Sequence, residues 1–307
     1  MAHRVKVPTR ESFVGRRRQL QNCLRVLLAQ SPEQVGVLIH GMGGLGKSSL
    51  ASRLCDRFLG FDHLVWVGRI DETVLVGRLA EKIDSIQFRE TLQNFNEGLK
   101  FRLKRVFQHL TDEATRPFFL ILDDFELNLE PRETGFVLLP EASLLLESIV
   151  WAIREANSPH RLIITSRYDF ESIQTQFFYK QPLERLCGTD LQKKCERLSA
   201  FNSSSEIDIA LKSRAINLSD GNPRLLEWLD KILIDGSVNQ DEILDRLELD
   251  PIELREQVLA QALWTQVDQS LQETLRSARI FDLPIPREVL EKVCETISNQ
   301  GYFILIE

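Results

Sequence analysis

Residues 40–50 read HGMGGLGKSSL, and Gly41, Met42, Gly43, Gly44, Leu45, Gly46, Lys47 and Ser48 satisfy the spacing GxxxxGK[ST] in full. Each residue type there answers a demand of phosphate chemistry. Glycines let successive backbone N–H groups turn toward one anion without side-chain clash. A helix that starts at the lysine points its positive end at the same anion. Lys47 is expected to reach the β- and γ-phosphates of a nucleotide and Ser48 to ligate Mg²⁺, while Gly41, Gly43, Gly44, Leu45, Gly46 and Ser49 complete the wrap.

A magnesium ion held in this way needs an acid, and FFLILDD (118–124) ends in two. Asp123 is the expected Mg²⁺ partner of Ser48, and Asp124 is placed to orient or polarise an attacking water, with Glu126 a weaker rival for that role. Arg167 closes RLIITSR (161–167), where a guanidinium could touch a γ-phosphate and sense its loss; a plain surface arginine after a strand is the competing reading. Gly221-Asn222-Pro223 is explained first by helix chemistry, with Asn222 as an N-cap and Pro223 as the first helical residue.

These groups need elements to hold them. VGVLIHG (35–41), LVWVGRI (64–70), FFLILDD and RLIITSR are short apolar strands, and a fifth is expected over 177–181. Helical periodicity marks 16–29, a helix from about Lys47, 75–83, 99–110 and 142–156. Strands apolar on both faces that alternate with helices predict an α/β fold with a parallel sheet covered on both sides. The motifs at 41–48, 123–124 and 165–167 all fall at carboxyl ends of these strands, where such sheets build ligand sites. Beyond Leu183 the strand signal fades, and 189–200, 206–218, 223–234, 240–248 and 252–278 read as helices, so a helical region follows a boundary near 180–188.

The 307 residues suggest about two domains, and 43% hydrophobic content is enough for real cores. A net charge of −7 argues against a dedicated nucleic-acid binder; Arg16, Arg17 and Arg18 form a small basic run, best read as a solvated helix start. Cys23, Cys55, Cys187, Cys195 and Cys294 contain no CxxC pair, which argues against a zinc or redox motif and fits a reducing compartment. MAHRVKVPTRES has no secretory character, and no apolar run reaches the ~18 residues that span a membrane, so a soluble cytoplasmic protein without a membrane partner is expected.

Taken together and in order, FVGRRRQL (13–20), GMGGLGKSS (41–49), FFLILDD, IITSR (163–167) and GNPRLL (221–226) resemble the STAND class of signalling P-loop ATPases, in its NB-ARC or AP-ATPase branch, over roughly residues 9–295. The resemblance implies ATP/ADP and Mg²⁺ as ligands, with Val14, Gly15 and Arg16 on the adenine side, Arg167 as the γ-phosphate sensor and Pro223 packing on the nucleotide. It implies a P-loop NTPase sheet domain (13–183) after an N-terminal linker (1–12), then an all-helical domain (184–264) and the start of a winged helix (265–307). Family members are slow ATP-driven switches that open, self-associate and activate attached or recruited effectors, often beside sensor or repeat domains. Two departures stand out: Arg17 and Gln19 replace the acids usual after FVGR, and none of His3, His40, His63, His109 and His160 lies in an MHD-like motif. With ~40 residues left for the winged helix, a core piece of a longer bacterial protein is expected. The alternatives are a nucleotide-binding scaffold without turnover, or a different P-loop ATPase or kinase. A GTPase would need NKxD, which is absent.

Overall fold

Alternating apolar side chains divide one sheet between two cores. In the computed structural model, which describes residues 13–29, 33–112, 116–234 and 239–267 with 269 and 272, seven strands form: β1 (Gly36–His40), β2 (Asp62–Val67), β3 (Phe118–Asp123), β4 (Leu129–Arg132), β5 (Gly135–Leu138), β6 (Arg161–Ser166) and β7 (Phe178–Pro182). Five of them make a parallel sheet in the order β2-β3-β6-β1-β7, and β4 pairs with β5 as an antiparallel hairpin. Val37, Ile39, Phe119, Ile121 and Ile163 face one core, while Leu38, Leu120, Leu122, Leu162 and Ile164 face the other, the period of two that a strand imposes.

Each face is covered by helices. On the first, α1 (Arg17–Leu28) and α2 (Lys47–Cys55) contribute Cys23, Leu27, Leu50, Leu54 and Cys55. On the second lie α3 (Glu72–Ala80), α4 (Ile86–Gln93), α5 (Leu99–Asp112) and α6 (Pro140–Glu155), which bury Leu75, Leu79, Leu92, Leu103, Phe107, Leu146 and Ile149. This is the α/β architecture, a parallel sheet covered on both faces, that the alternation of apolar strands and helices predicts. Two buried polar residues fasten it. Arg161 donates from Nε to the Leu27 carbonyl (3.0 Å) and from Nη2 to that of Ala29 (3.0 Å), capping the carbonyls that the end of α1 leaves unpaired. His160 accepts from the Phe118 N–H at Nδ1 (2.7 Å) and its Nε2 faces the Phe107 carbonyl at 3.3 Å, so a neutral ring with its proton on Nε2 satisfies both neighbours.

Three local features depart from the sequence reading. The strand expected at 64–70 runs over 62–67, because Gly68 turns at φ 79° while its N–H donates to the Asp123 carbonyl (2.8 Å). The hairpin β4–β5 and helix α4 give no periodic signal: the two short strands of the hairpin are half-exposed, and α4 buries only Leu92.

The chain divides into two units, Met1–Glu184 and Arg185–Glu307. The second is helical: α7 (Gly188–Glu196), α8 (Ile209–Ser219), α9 (Pro223–Ile234), α10 (Gln240–Leu249) and α11 (Ile252–Gln266) surround a core containing Ala215, Leu226, Leu229, Ile232, Leu244 and Leu259. Asp208 caps α8 by accepting from Ala210 N–H (2.8 Å), and Asn222 caps α9 by accepting from Arg224 N–H (3.0 Å), leaving Pro223 at the first helical position. The helix expected over 252–278 closes at Gln266, after which Val267 is extended. The expected linker (1–12) and nearly all of the winged-helix-like region (265–307) lie outside the described residues. Among the described residues, no helix is long and apolar enough to cross a membrane.

Candidate functional site

The loop between β1 and α2 turns on its glycines. Gly41 leaves the strand at φ 144°, and a Cβ there would lie 2.5 Å from the Leu183 carbonyl oxygen, so both backbone angle and space demand glycine. Gly46 stands at φ 90° as the residue before α2. The helix then opens on Lys47, which is buried; its ammonium donates to the carbonyls of Gly41 (2.8 Å) and Met42 (3.1 Å). A cation is thus fixed over the loop at a helix N-terminus, and backbone dipole and ammonium both favour an anion there.

Beneath the loop, the sheet order brings the ends of β3 and β6 to α2. Ser48 Oγ donates to Asp123 Oδ1 (2.9 Å), and the Thr165 hydroxyl donates to the same oxygen. Thr165 Oγ1 in turn accepts the Asp124 N–H (3.2 Å). Asp123 is 1% exposed, yet its Oδ2 has no hydrogen-bond partner among the described residues. Burial pushes its carboxyl up to about 6; the Thr165 and Ser48 bonds pull it back down, and the charges of Asp124 and Glu126 add to the rise. An orphaned carboxylate oxygen beside a hydroxyl is costly alone and suits a small hard cation such as Mg²⁺, which takes oxygen donors. Ser48 and Asp123 are the residues able to hold it. Sequence reasoning did not single out Thr165. Its only signal was a hydroxyl near the end of an apolar strand, and that this strand lies between β1 and β3 is a tertiary fact.

The other expected site residues are distributed as follows. Asp124 is exposed and left-handed (φ 51°, ψ 43°), a conformation that aspartate tolerates better than most residues. Glu126 is engaged by Arg167: Oε1 meets Arg167 Nε at 3.1 Å and Oε2 accepts the Arg167 N–H at 3.1 Å. Val14 and Gly15 are half-buried in the turn before α1. Arg16 corrects the reading of the basic run: Arg17 and Arg18 are exposed, but Arg16 is buried, adopts φ 61° and donates from Nη2 to the Leu45 carbonyl (3.1 Å), tying this turn to the glycine loop. Ser49 is half-buried on α2, and Pro223 belongs to the second unit.

The AAA ATPase domain family matches residues 12–164, a span that includes the glycine loop and both acids at the end of β3. This segment is an AAA-type P-loop ATPase domain. Among solved structures, a STAND protein with a tetratricopeptide repeat sensor from Pyrococcus horikoshii aligns with 97% of the chain at 17% identity and a TM-score of 0.58; the chain spans 38% of that protein's length. A Walker-type ATPase of Pyrococcus abyssi aligns over 93% of the chain and 89% of its own, at 14% identity and a TM-score of 0.50. Cdc6p of Pyrobaculum aerophilum aligns over 92% and 82%, at 16% identity and a TM-score of 0.50. No curated protein sequence matches the chain. The fold is that of a P-loop ATPase, with the helical unit included in these alignments.

The ATPase domain carries two buried groups with opposed pH dependence. Burial pushes His160 down to about 4, from an ordinary histidine value near ~6.5. Between those values the unfolded chain takes up a proton that the folded ring refuses, so stability contributed by His160 is full above pH ~6.5 and falls as pH drops, by roughly 3 kcal/mol in all. Asp123, raised to about 6, works the other way in nucleotide-free protein: the folded state holds its proton first, and stability rises as pH falls from 6 toward ~4. Denaturant midpoints of wild type and His160→Asn across pH 7.5 to 4 separate the two. The difference between the profiles should shrink by roughly 3 kcal/mol on acidification; parallel profiles would show that His160 is not held neutral.

Proposed function

We propose that this chain is an ATP-driven molecular switch. It binds ATP or ADP with Mg²⁺ at residues 41–48, hydrolyses ATP slowly, and converts the presence of the γ-phosphate into opening and self-association that controls effectors outside the chain. The observation that carries the reading is the Ser48–Asp123–Thr165 cluster, with its orphaned Asp123 Oδ2, next in sequence to the buried Lys47. Bound magnesium would supply charge neutralisation to the β- and γ-phosphates. Lys47 holds those phosphates, Ser48 and Asp123 hold the metal, and Val14, Gly15 and Arg16 border the base. Asp124 orients the water that attacks the γ-phosphorus as the bond to the bridging oxygen breaks, and Arg167 meets the γ-phosphate. The tetratricopeptide repeat sensor of the Pyrococcus horikoshii protein supports placing a sensor domain beside such a module.

The energetics are sufficient. Moving a two-state equilibrium from about 1:99 to 99:1 takes about 5.5 kcal/mol of differential binding. A charge-assisted hydrogen bond contributes about 1.5–3 kcal/mol, so about two to four contacts made only with the γ-phosphate suffice. The test compares sedimentation velocity and limited proteolysis in Mg·ADP and in a magnesium complex of a non-hydrolysable ATP analogue. A larger or differently cleaved species is expected with the analogue alone. Identical behaviour with both nucleotides demonstrably bound would leave a nucleotide-binding scaffold in place of a switch.

A further inference from the structure

Glu126 stands three residues beyond Asp123, and Arg167 two beyond Thr165, so their pairing continues outward from the hydroxyl–carboxylate bond that joins the ends of β3 and β6. The pairing has two points. One carboxylate oxygen takes the arginine's backbone N–H (3.1 Å) and the other takes Nε (3.1 Å), so both the root and the head of the side chain are held. Glu126 is 13% exposed and Arg167 49%, so the clamp is the more buried partner and the guanidinium the more exposed. Engaging Nε leaves the edge formed by Nη1 and Nη2 without a hydrogen-bond partner among the described residues. That edge is the fork able to bind phosphate oxygens in pairs.

The segment carrying Glu126 is itself anchored. Phe125 is fully buried and packs on Phe170 (ring centroids 5.6 Å apart). Asn128, also buried, donates to the Gly68 and Phe125 carbonyls (2.9 and 3.2 Å) and accepts the Ile70 N–H (3.0 Å). From the hairpin, Phe136 stacks on Tyr168 (3.8 Å) and its carbonyl accepts the Glu171 N–H (2.9 Å). Residues 125–137 therefore grip the loop 167–171 at several points, and Glu126 has a rigid base from which to aim Arg167.

We infer that Glu126 is a positioning residue: it holds Arg167 with its fork open toward the γ-phosphate and so sets the preference for ATP over ADP. The inference rests on the reading of Arg167 as the γ-phosphate contact.

The test is calorimetric affinity for ADP and for a non-hydrolysable ATP analogue, both with Mg²⁺, in wild type, Glu126→Ala, Glu126→Gln, Arg167→Ala and the Glu126→Ala/Arg167→Ala double variant. Loss of one charge-assisted contact predicts about a tenfold or greater fall in analogue affinity for Glu126→Ala, with ADP affinity held. Glu126→Gln keeps one acceptor and should recover part of the loss, and the double variant should be no worse than Arg167→Ala alone. Glu126→Ala with intact discrimination beside an Arg167→Ala that loses it overturns the inference and leaves the sensor reading standing. Tighter analogue binding in Glu126→Ala overturns it in favour of a restraining latch. A parallel fall in both affinities and in thermal stability makes Glu126 merely structural. If Arg167→Ala itself keeps full discrimination, the sensor reading fails, and the inference with it.

Discussion

Lys47→Ala lowers ATP affinity by about 10- to 100-fold, the value of one charge-assisted phosphate contact. The lysine is buried at 7% exposure, and its ammonium is held by the carbonyls of Gly41 and Met42. Those carbonyls fix its place within the loop but cannot replace its charge. Alanine removes that charge and the donor to both carbonyls, so the variant loses the attraction for the phosphates. Lys47→Arg is not a conservative control, because a planar fork does not fit where a compact ammonium lies against two carbonyls. The loop's own shape is set by Gly41 and Gly46 and should survive the change, so thermal stability in the absence of nucleotide should move little. Calorimetry with Mg·ATP decides the matter: unchanged affinity would falsify the phosphate-binding assignment of the loop.

Adjacent acids at the end of β3 should fail in different ways. Asp124→Asn is expected to bind Mg·ATP normally and hydrolyse it about a hundredfold more slowly, the scale of losing a group that orients or accepts a proton from the attacking water. Asp123→Asn should instead weaken the dependence of binding on magnesium. The difference follows from their surroundings. Asp123 is buried, and Oδ1 receives both hydroxyls, so only Oδ2 is left to face a cation. An asparagine that keeps its carbonyl oxygen on Ser48 and Thr165 must put its NH₂ where Oδ2 was, and an N–H donor cannot ligate a metal. Asp124 is exposed, turned off the strand by its left-handed backbone, and bound through its N–H to Thr165. Single-turnover hydrolysis and magnesium titrations of the two variants separate the roles; normal turnover by Asp124→Asn removes it from the water-orienting position.

Much of the architecture was legible in the sequence because the sheet is buried on both faces. FFLIL is apolar throughout and RLIIT has an apolar centre at Leu162–Ile164, so their strand character and parallel setting could be read without knowing their neighbours. The glycine loop was legible because backbone angles near φ 144° and 90° and a Cβ position blocked by the Leu183 carbonyl admit little else. Asn222 and Pro223 were legible as a helix start because capping is a local interaction. α4 and the hairpin were not, since a helix with one buried residue and two half-exposed four-residue strands carry no period to read.

The site needed the tertiary structure wherever its chemistry depends on which strands are neighbours. Local pattern names strands but not their order, and the order β2-β3-β6-β1-β7 sets Thr165 against Asp123, 42 residues away in the chain. The same adjacency pairs Glu126 with Arg167 across 41 residues. Arg16 looked like part of a solvated basic run, yet its φ of 61° and its bond to Leu45 place it inside the fold. Sequence alone determined the phosphate loop, the paired acids and the alternation of strand and helix, because glycine sterics, charge and hydrophobic period act locally. Hydrogen bonds between strand ends depend on which strands pair, and this only the folded sheet decided.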